Sequence, residues 1–376
     1  MSVSRAASYA APILLLSLLL SLLLSGHAAE TASKPQDKTQ DRQAKPASVL
    51  DAPVKKIAGQ RIAVNTPQSA GLLPVYADRT IDAPAPDVKR ILIVVHGTLR
   101  NADAYFAAGR LAADAAGTAG KGTLVVAPQF LTPADLKAFK LAAETLAWTQ
   151  EGWKDGEPAR SPAPISSFGA MDALLEHFSD RTLYPALTEV VVAGHSAGAQ
   201  IVQRYAVAGQ AEAVLRKAGI EVRYVVANPS TYLYFDNNRP GSGGAFQPAD
   251  AASCPKVNQW KYGMNGIPSY LAEQDVAGLE TRYAARKVVY LLGTADTDPH
   301  THFIDRSCAA MAQGPYRLAR GLAYFRYLQG RHASGLQQSV VEVPGVGHDD
   351  RAMFTSACGL AVLFGSPLPA ACPRIQ

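Results

Sequence analysis

From residue 61 onward the chain alternates short, continuous apolar runs with longer stretches in which apolar residues recur at helical spacing. The runs at 90–95, 123–127, 189–193, 222–227, 287–292 and 339–343 are rich in Val, Ile and Leu with scarcely a polar break. Strands buried on both faces have this composition, whereas half-exposed strands alternate apolar with polar. Two shorter segments, 61–65 and 72–76, read as opening strands. Helical spacing occupies 102–116, 167–178, 199–208, 315–332 and 350–364. Repeated strand, helix, strand units predict an α/β fold with a mostly parallel central sheet and helices on both faces. One long interruption, 229–286, is rich in Pro, Gly, Asn and aromatic residues, and is expected to be a cap or lid insertion after the sixth strand.

The first sixty residues follow a different pattern. Arg5 precedes an apolar run at 12–24 followed by small residues, as in a secretory signal cleaved after Ala28, with Ala29 a competing position. An uncleaved anchor is the alternative, but the run is shorter than the roughly 20 residues that span a bilayer. No Cys follows the cleavage position to take a lipid. Residues 29–60 lack apolar periodicity and are expected to form a disordered tether, leaving 61–376 as one catalytic domain. The tether and Arg5 carry most of the net charge of +5, so the domain is nearly neutral and lacks the basic field that nucleic-acid binding needs. Cys254, Cys308, Cys358 and Cys372 are an even set in an exported chain, without metal-ligand spacing. They read as two disulfides. Of three connectivities, Cys254 with Cys308 and Cys358 with Cys372 is favoured, because the last helix is followed by a short loop able to fold back on it.

Groups that carry chemistry in such sheets gather beyond the carboxyl ends of the strands. There the chain has Gly194-His195-Ser196-Ala197-Gly198, wedged between a strand and a helix. A sharp strand-to-helix turn needs flanking glycines and exposes the central side chain above the sheet. A serine hydroxyl needs a base, and the base an orienting acid. His348 follows the last strand in Pro344-Gly345-Val346-Gly347-His348, and Asp296 follows the preceding one in Gly293-Thr294-Ala295-Asp296. Asp298 and, more distantly, Asp236 are alternatives to Asp296. His300 and His302 stand in a loop and read as a polar rim, with no metal or other cofactor called for. Thr98, after His96-Gly97, and Ala197, at a helix N-terminus, offer backbone N–H groups for an oxyanion.

These motifs, VVHGT at 94–98, GHSAG at 194–198, GTAD at 293–296 and GVGHDD at 345–350, resemble the α/β-hydrolase superfamily from about Arg61 to the C-terminus. The order Ser, Asp, His is that of the superfamily. The resemblance implies Ser196 as nucleophile, Asp296 as acid, His348 as base, and Thr98 with Ala197 as oxyanion donors. In layout the chain is similar to secreted bacterial esterases and polyester depolymerases, although HGT replaces the HGGG of one lipase and esterase group. The expected activity is hydrolysis of small-molecule or polymeric carboxylic esters in the periplasm or medium. A peptidase or amidase with the same three residues, and a non-catalytic binding protein on the same scaffold, are the competing readings. Tyr232, Tyr234 and Trp153, together with Trp148, Trp260, Tyr262 and Tyr270, are candidates to line an apolar substrate pocket, with ordinary core packing the alternative. No charged residue stands out as partner for an ionic substrate.

Overall fold

A computed structural model describes residues 48–272 and 274–376. The proposed signal segment and most of the tether lie outside the described residues.

A nine-stranded sheet organises the domain. Its strands are β1 (Gln60–Asn65), β2 (Ala70–Ala77), β3 (Arg90–Val95), β4 (Thr123–Pro128), β5 (Glu189–His195), β6 (Glu221–Ala227), β9 (Lys287–Gly293), β10 (Gln338–Val343) and β11 (Arg374–Ile375), in the spatial order β1-β2-β4-β3-β5-β6-β9-β10-β11. A separate antiparallel hairpin pairs β7 (Asn238–Pro240) with β8 (Phe246–Pro248). From β4 to β10 every neighbouring pair is parallel, and antiparallel β1, β2 and β11 close the two edges.

The unbroken apolar runs are explained by coverage on both faces. In β3, Ile91, Ile93 and Val95 enter one buried cluster while Leu92 and Val94 enter the other, and β5 divides its valines in the same way. The first face is covered by α3 (Ser167–His177), α4 (Ala197–Ala208), α5 (Glu212–Lys217), α6 (Leu279–Ala284) and α8 (Arg317–Arg331). The second is covered by α1 (Ala102–Ala115), α9 (Asp350–Thr355) and α10 (Ala357–Phe364). Two further short helices are α2 (Pro133–Phe139) and α7 (Cys308–Met311). The single helix expected over 350–364 is two: Ser356 has extended backbone, and its hydroxyl accepts from Gly359 N–H to start α10 afresh. Helix α4 is buried along its whole length, and its buried polar side chains are partnered: Arg204 with Asp155, Gln203 with Tyr324 and Gln200 with Thr231.

The insertion after the sixth strand contains the β7–β8 hairpin and α6, and Cys254 within it is bonded to Cys308 at the start of α7. Cys358 of α10 is bonded to Cys372.

The expected tether needs a correction. Residues 48–60 are part of the domain, although Val54 and Ala58 are the only ones whose side chains bury well. The segment is held through its backbone. Val54 N–H donates to Asp135 at 2.7 Å, Ala58 N–H donates to Gln129 at 2.9 Å, and Arg100 donates to the carbonyls of Leu50 and Ala52 at 3.0 and 2.8 Å. Such order is invisible to a test based on apolar periodicity.

Candidate active site

Parallel registry brings the carboxyl ends of the central strands side by side: Val95 of β3 lies opposite Gly194 of β5, Gly194 opposite Val226 of β6, and Gly293 of β9 opposite Val343 of β10. The loops that leave these ends therefore meet. Between β5 and α4 the chain turns at Ser196, which has φ 59° and ψ −120°, a strained conformation for a residue with a Cβ. The flanking glycines permit it. A Cβ on Gly194 would stand 2.3 Å from the Gly198 carbonyl oxygen, and one on Gly198 2.1 Å from that of Val95.

Ser196 Oγ lies 2.9 Å from His348 Nε2, and His348 Nδ1 lies 2.8 Å from Asp296 Oδ2. Both ring nitrogens are thus engaged, with Nδ1–H donating to the carboxylate and Nε2 free to take the serine proton. Asp296 is buried, whereas Asp298 is exposed and accepts from the backbone of His300. Asp236 pairs with Arg331. Of the three carboxylates, Asp296 is the one in contact with His348. Burial draws the pKa of His348 below the ordinary imidazole value; the Asp296 hydrogen bond opposes this and Arg317 adds to it. The Thr98 and Ala197 N–H groups have no acceptor among the described residues.

No protein-family model matches the sequence, and no curated relative matches it. Solved structures do. A poly(3-hydroxybutyrate) depolymerase from Bordetella parapertussis is 23% identical over 84% of this chain and 93% of its own, with a TM-score of 0.55. Poly(aspartic acid) hydrolase-1 from Sphingomonas sp. KT-1 is 23% identical over 79% and 96%, with a TM-score of 0.53. The chain has the α/β-hydrolase fold.

Within this α/β-hydrolase fold, several residues that local motifs do not reveal hold the loops in place. Arg317, on α8, directs Nη1 at Asp296 Oδ1 from 3.4 Å, and both side chains are buried. Asn228, directly after β6, accepts from Gly293 N–H at 2.9 Å and donates to the Gly347 carbonyl at 3.2 Å, tying the loop of Asp296 to the loop of His348. Gln150 donates to the Thr98 carbonyl at 2.7 Å and in turn accepts from Arg100, which pairs with buried Asp135 at 3.1 Å. His96 braces the same loop: its Nδ1–H donates to the Gly97 carbonyl, its Nε2 accepts from Phe130 N–H, and burial pulls its pKa down to about 4. It is a neutral structural histidine. His195, next to Ser196, is also buried, with its ring 4.5 Å from that of His348.

The expected substrate aromatics are corrected. Tyr232, Tyr234 and Trp153 have no exposed surface. Trp153 stacks on Phe130 and meets the His96 ring at a tilt, while Tyr232 and Tyr234 pack against Tyr324 of α8. Aromatic content alone does not distinguish a pocket wall from core. A cavity of about 350 Å³ has Thr98, Gln200, Tyr262, Glu151, Lys154 and Lys261 in its walls. It reaches the site through Thr98, the candidate oxyanion donor, and through Gln200, whose N–H donates to the Ser196 carbonyl at 3.2 Å. The wall carries charge of both signs, with Glu151 and Asp305 beside the two lysines. Among the described residues, no group of three or more potential ligands is placed to hold a metal, and no helix is long and apolar enough to cross a membrane.

Proposed function

We propose that this chain is a secreted serine hydrolase that cleaves carboxylic esters. The observation that carries the reading is the continuous hydrogen-bonded line from Ser196 through His348 to buried Asp296, starting at a serine held in a strained turn. In the proposed reaction Ser196 Oγ bonds to the ester carbonyl carbon as its proton passes to His348 Nε2. The carbonyl oxygen, now negative, receives the Thr98 and Ala197 N–H groups. The C–O bond to the alcohol breaks and His348 returns the proton to the leaving oxygen. Water repeats the sequence on the acyl-enzyme, releasing the acid and restoring Ser196. Two disulfides fit an oxidising compartment, in keeping with the signal-like pattern at the N-terminus. The insertion after β6 supplies Tyr262 and Lys261 to the cavity wall, which supports its reading as a cap. The poly(3-hydroxybutyrate) depolymerase of the same fold makes polymeric esters worth testing beside small ones.

The test is labelling of the purified protein with a fluorophosphonate, beside Ser196→Ala and His348→Ala, with p-nitrophenyl acetate and butyrate as substrates. Labelling and turnover lost in both variants are expected. A folded wild-type protein that neither labels nor turns over either ester would remove the hydrolase reading and favour a binding protein on this scaffold.

A further inference from the structure

The cavity lined by Thr98 and Gln200 holds two lysines with little access to water. The Lys154 side chain is 6% exposed and that of Lys261 15%, and both ammonium groups contact one carboxylate, that of Glu151, at 2.5 and 2.9 Å. Glu151 is the outlying member, with 56% of its side chain exposed. The other acids nearby are engaged elsewhere. Asp155 pairs with buried Arg204 at 2.9 Å and lies 4.0 Å from Lys261, while Asp305 accepts from Tyr262 Oη at 2.6 Å and from Ser307 N–H at 2.9 Å. Two poorly hydrated cations thus share one solvent-facing anion. An ammonium has three donors, and the contacts with Glu151 use only part of that capacity. A carboxylate entering the cavity can join Glu151 or displace it into water, at little desolvation cost to the lysines. The cavity meets the site through two of its walls: Thr98 is a proposed oxyanion donor whose carbonyl accepts from Gln150, the residue before Glu151, and the Gln200 N–H donates to the Ser196 carbonyl.

We propose that Lys154 and Lys261 bind a carboxylate carried by the substrate, so that the preferred esters bear an anionic group a short chain away from the scissile carbonyl. This rests on the reading of Ser196 as nucleophile and adds the substrate class to it. Charge-assisted bonds of this kind, shielded from water, give selectivity of about tenfold or more between an anion and its neutral isostere.

The experiment compares kcat/KM for mono(p-nitrophenyl) adipate with that for p-nitrophenyl methyl adipate, which differ only in the free carboxylate. Wild type is expected to favour the monoester by about tenfold or more. Lys261→Met and Lys154→Met are each expected to lower that ratio, chiefly through the KM of the monoester. Glu151→Gln removes the competing anion and is expected to raise it, a change in the opposite direction that misfolding cannot produce. Turnover of both esters with a ratio near one, unmoved by all three variants, overturns the proposal and leaves the hydrolase reading standing. Absence of turnover for both esters, with no fluorophosphonate labelling of Ser196, overturns the two together.

Discussion

Arg317 is the residue whose role is least apparent from sequence, because it lies 21 positions from Asp296 on a different element. Its guanidinium is buried against the Asp296 oxygen that His348 does not use, so the carboxylate is held from both sides. A cation so close to the imidazole disfavours the protonated ring, which is the sense of its contribution to the depressed His348 pKa. General-base catalysis requires neutral His348, so kcat/KM should fall as pH drops through the His348 pKa, on a limb below the ordinary imidazole value. Removing the positive charge in Arg317→Met takes away one cause of the depression, so the limb should move to higher pH. Arg317→Lys should return it toward wild type. The check is kcat/KM for p-nitrophenyl butyrate against pH. A limb that stays in place in Arg317→Met would show that Arg317 only packs beneath the site. Stability is expected to fall as well, since Asp296 loses its partner inside the protein and breaking such a pair costs roughly 3–5 kcal/mol.

At the scale of the elements, the outcome depends on how loops from different strands are joined. Continuous buried runs made the six strands β3 to β6, β9 and β10 legible, because their pattern is set by coverage on two faces, whereas β1 and β2 at the edge contribute to one buried cluster only. The strand-to-helix position of Ser196 and the strand-end positions of Asp296 and His348 were legible for the same reason. What escaped was shaped by contacts remote in sequence: the β7–β8 hairpin, the two-residue β11, and the polar residues that cross-link loops. Asn228 is one of these. It has φ +45°, a region that Asn tolerates better than most residues, and its amide spans the loops after β9 and β10. Asn228→Ala removes both bonds and leaves the Gly293 N–H buried without its acceptor, at a cost of about 1–3 kcal/mol. With the Asp296 and His348 loops no longer tied, kcat for an ester should fall by about tenfold or more, with KM changing less. Asn228→Asp keeps the acceptor for Gly293 and should retain more stability than Ala, as followed by thermal unfolding. Full kcat in Asn228→Ala would show that the remaining contacts between the loops, such as Gly345 N–H to Thr294 Oγ1 at 2.8 Å, are sufficient.

For the molecule as a whole, the question is where the working domain begins. Composition placed the boundary at residue 61, since nothing before it offers a periodic apolar face. Burial and hydrogen bonding place it earlier. Residues 48–60 supply two carbonyl acceptors to Arg100, an N–H donor to Asp135, and both a donor and an acceptor to Gln129. Arg100, Asp135 and Gln129 are all buried, so each contact removed leaves a polar group that water reaches poorly. The effect should extend to chemistry, because Arg100 holds Gln150 and Gln150 holds the Thr98 carbonyl, next to one of the two proposed oxyanion donors. A protein beginning at Arg61 should therefore unfold at a clearly lower temperature than one beginning at Ser48, and should lose kcat even where it remains folded. Arg100→Ala in the longer protein should reproduce the loss of kcat, because it breaks the same relay at its middle. Thermal unfolding and p-nitrophenyl butyrate kinetics on the three proteins decide the matter. If the protein beginning at Arg61 matched the longer one in both, residues 48–60 would be a passive strap and the oxyanion loop would be held by His96 and its aromatic neighbours alone.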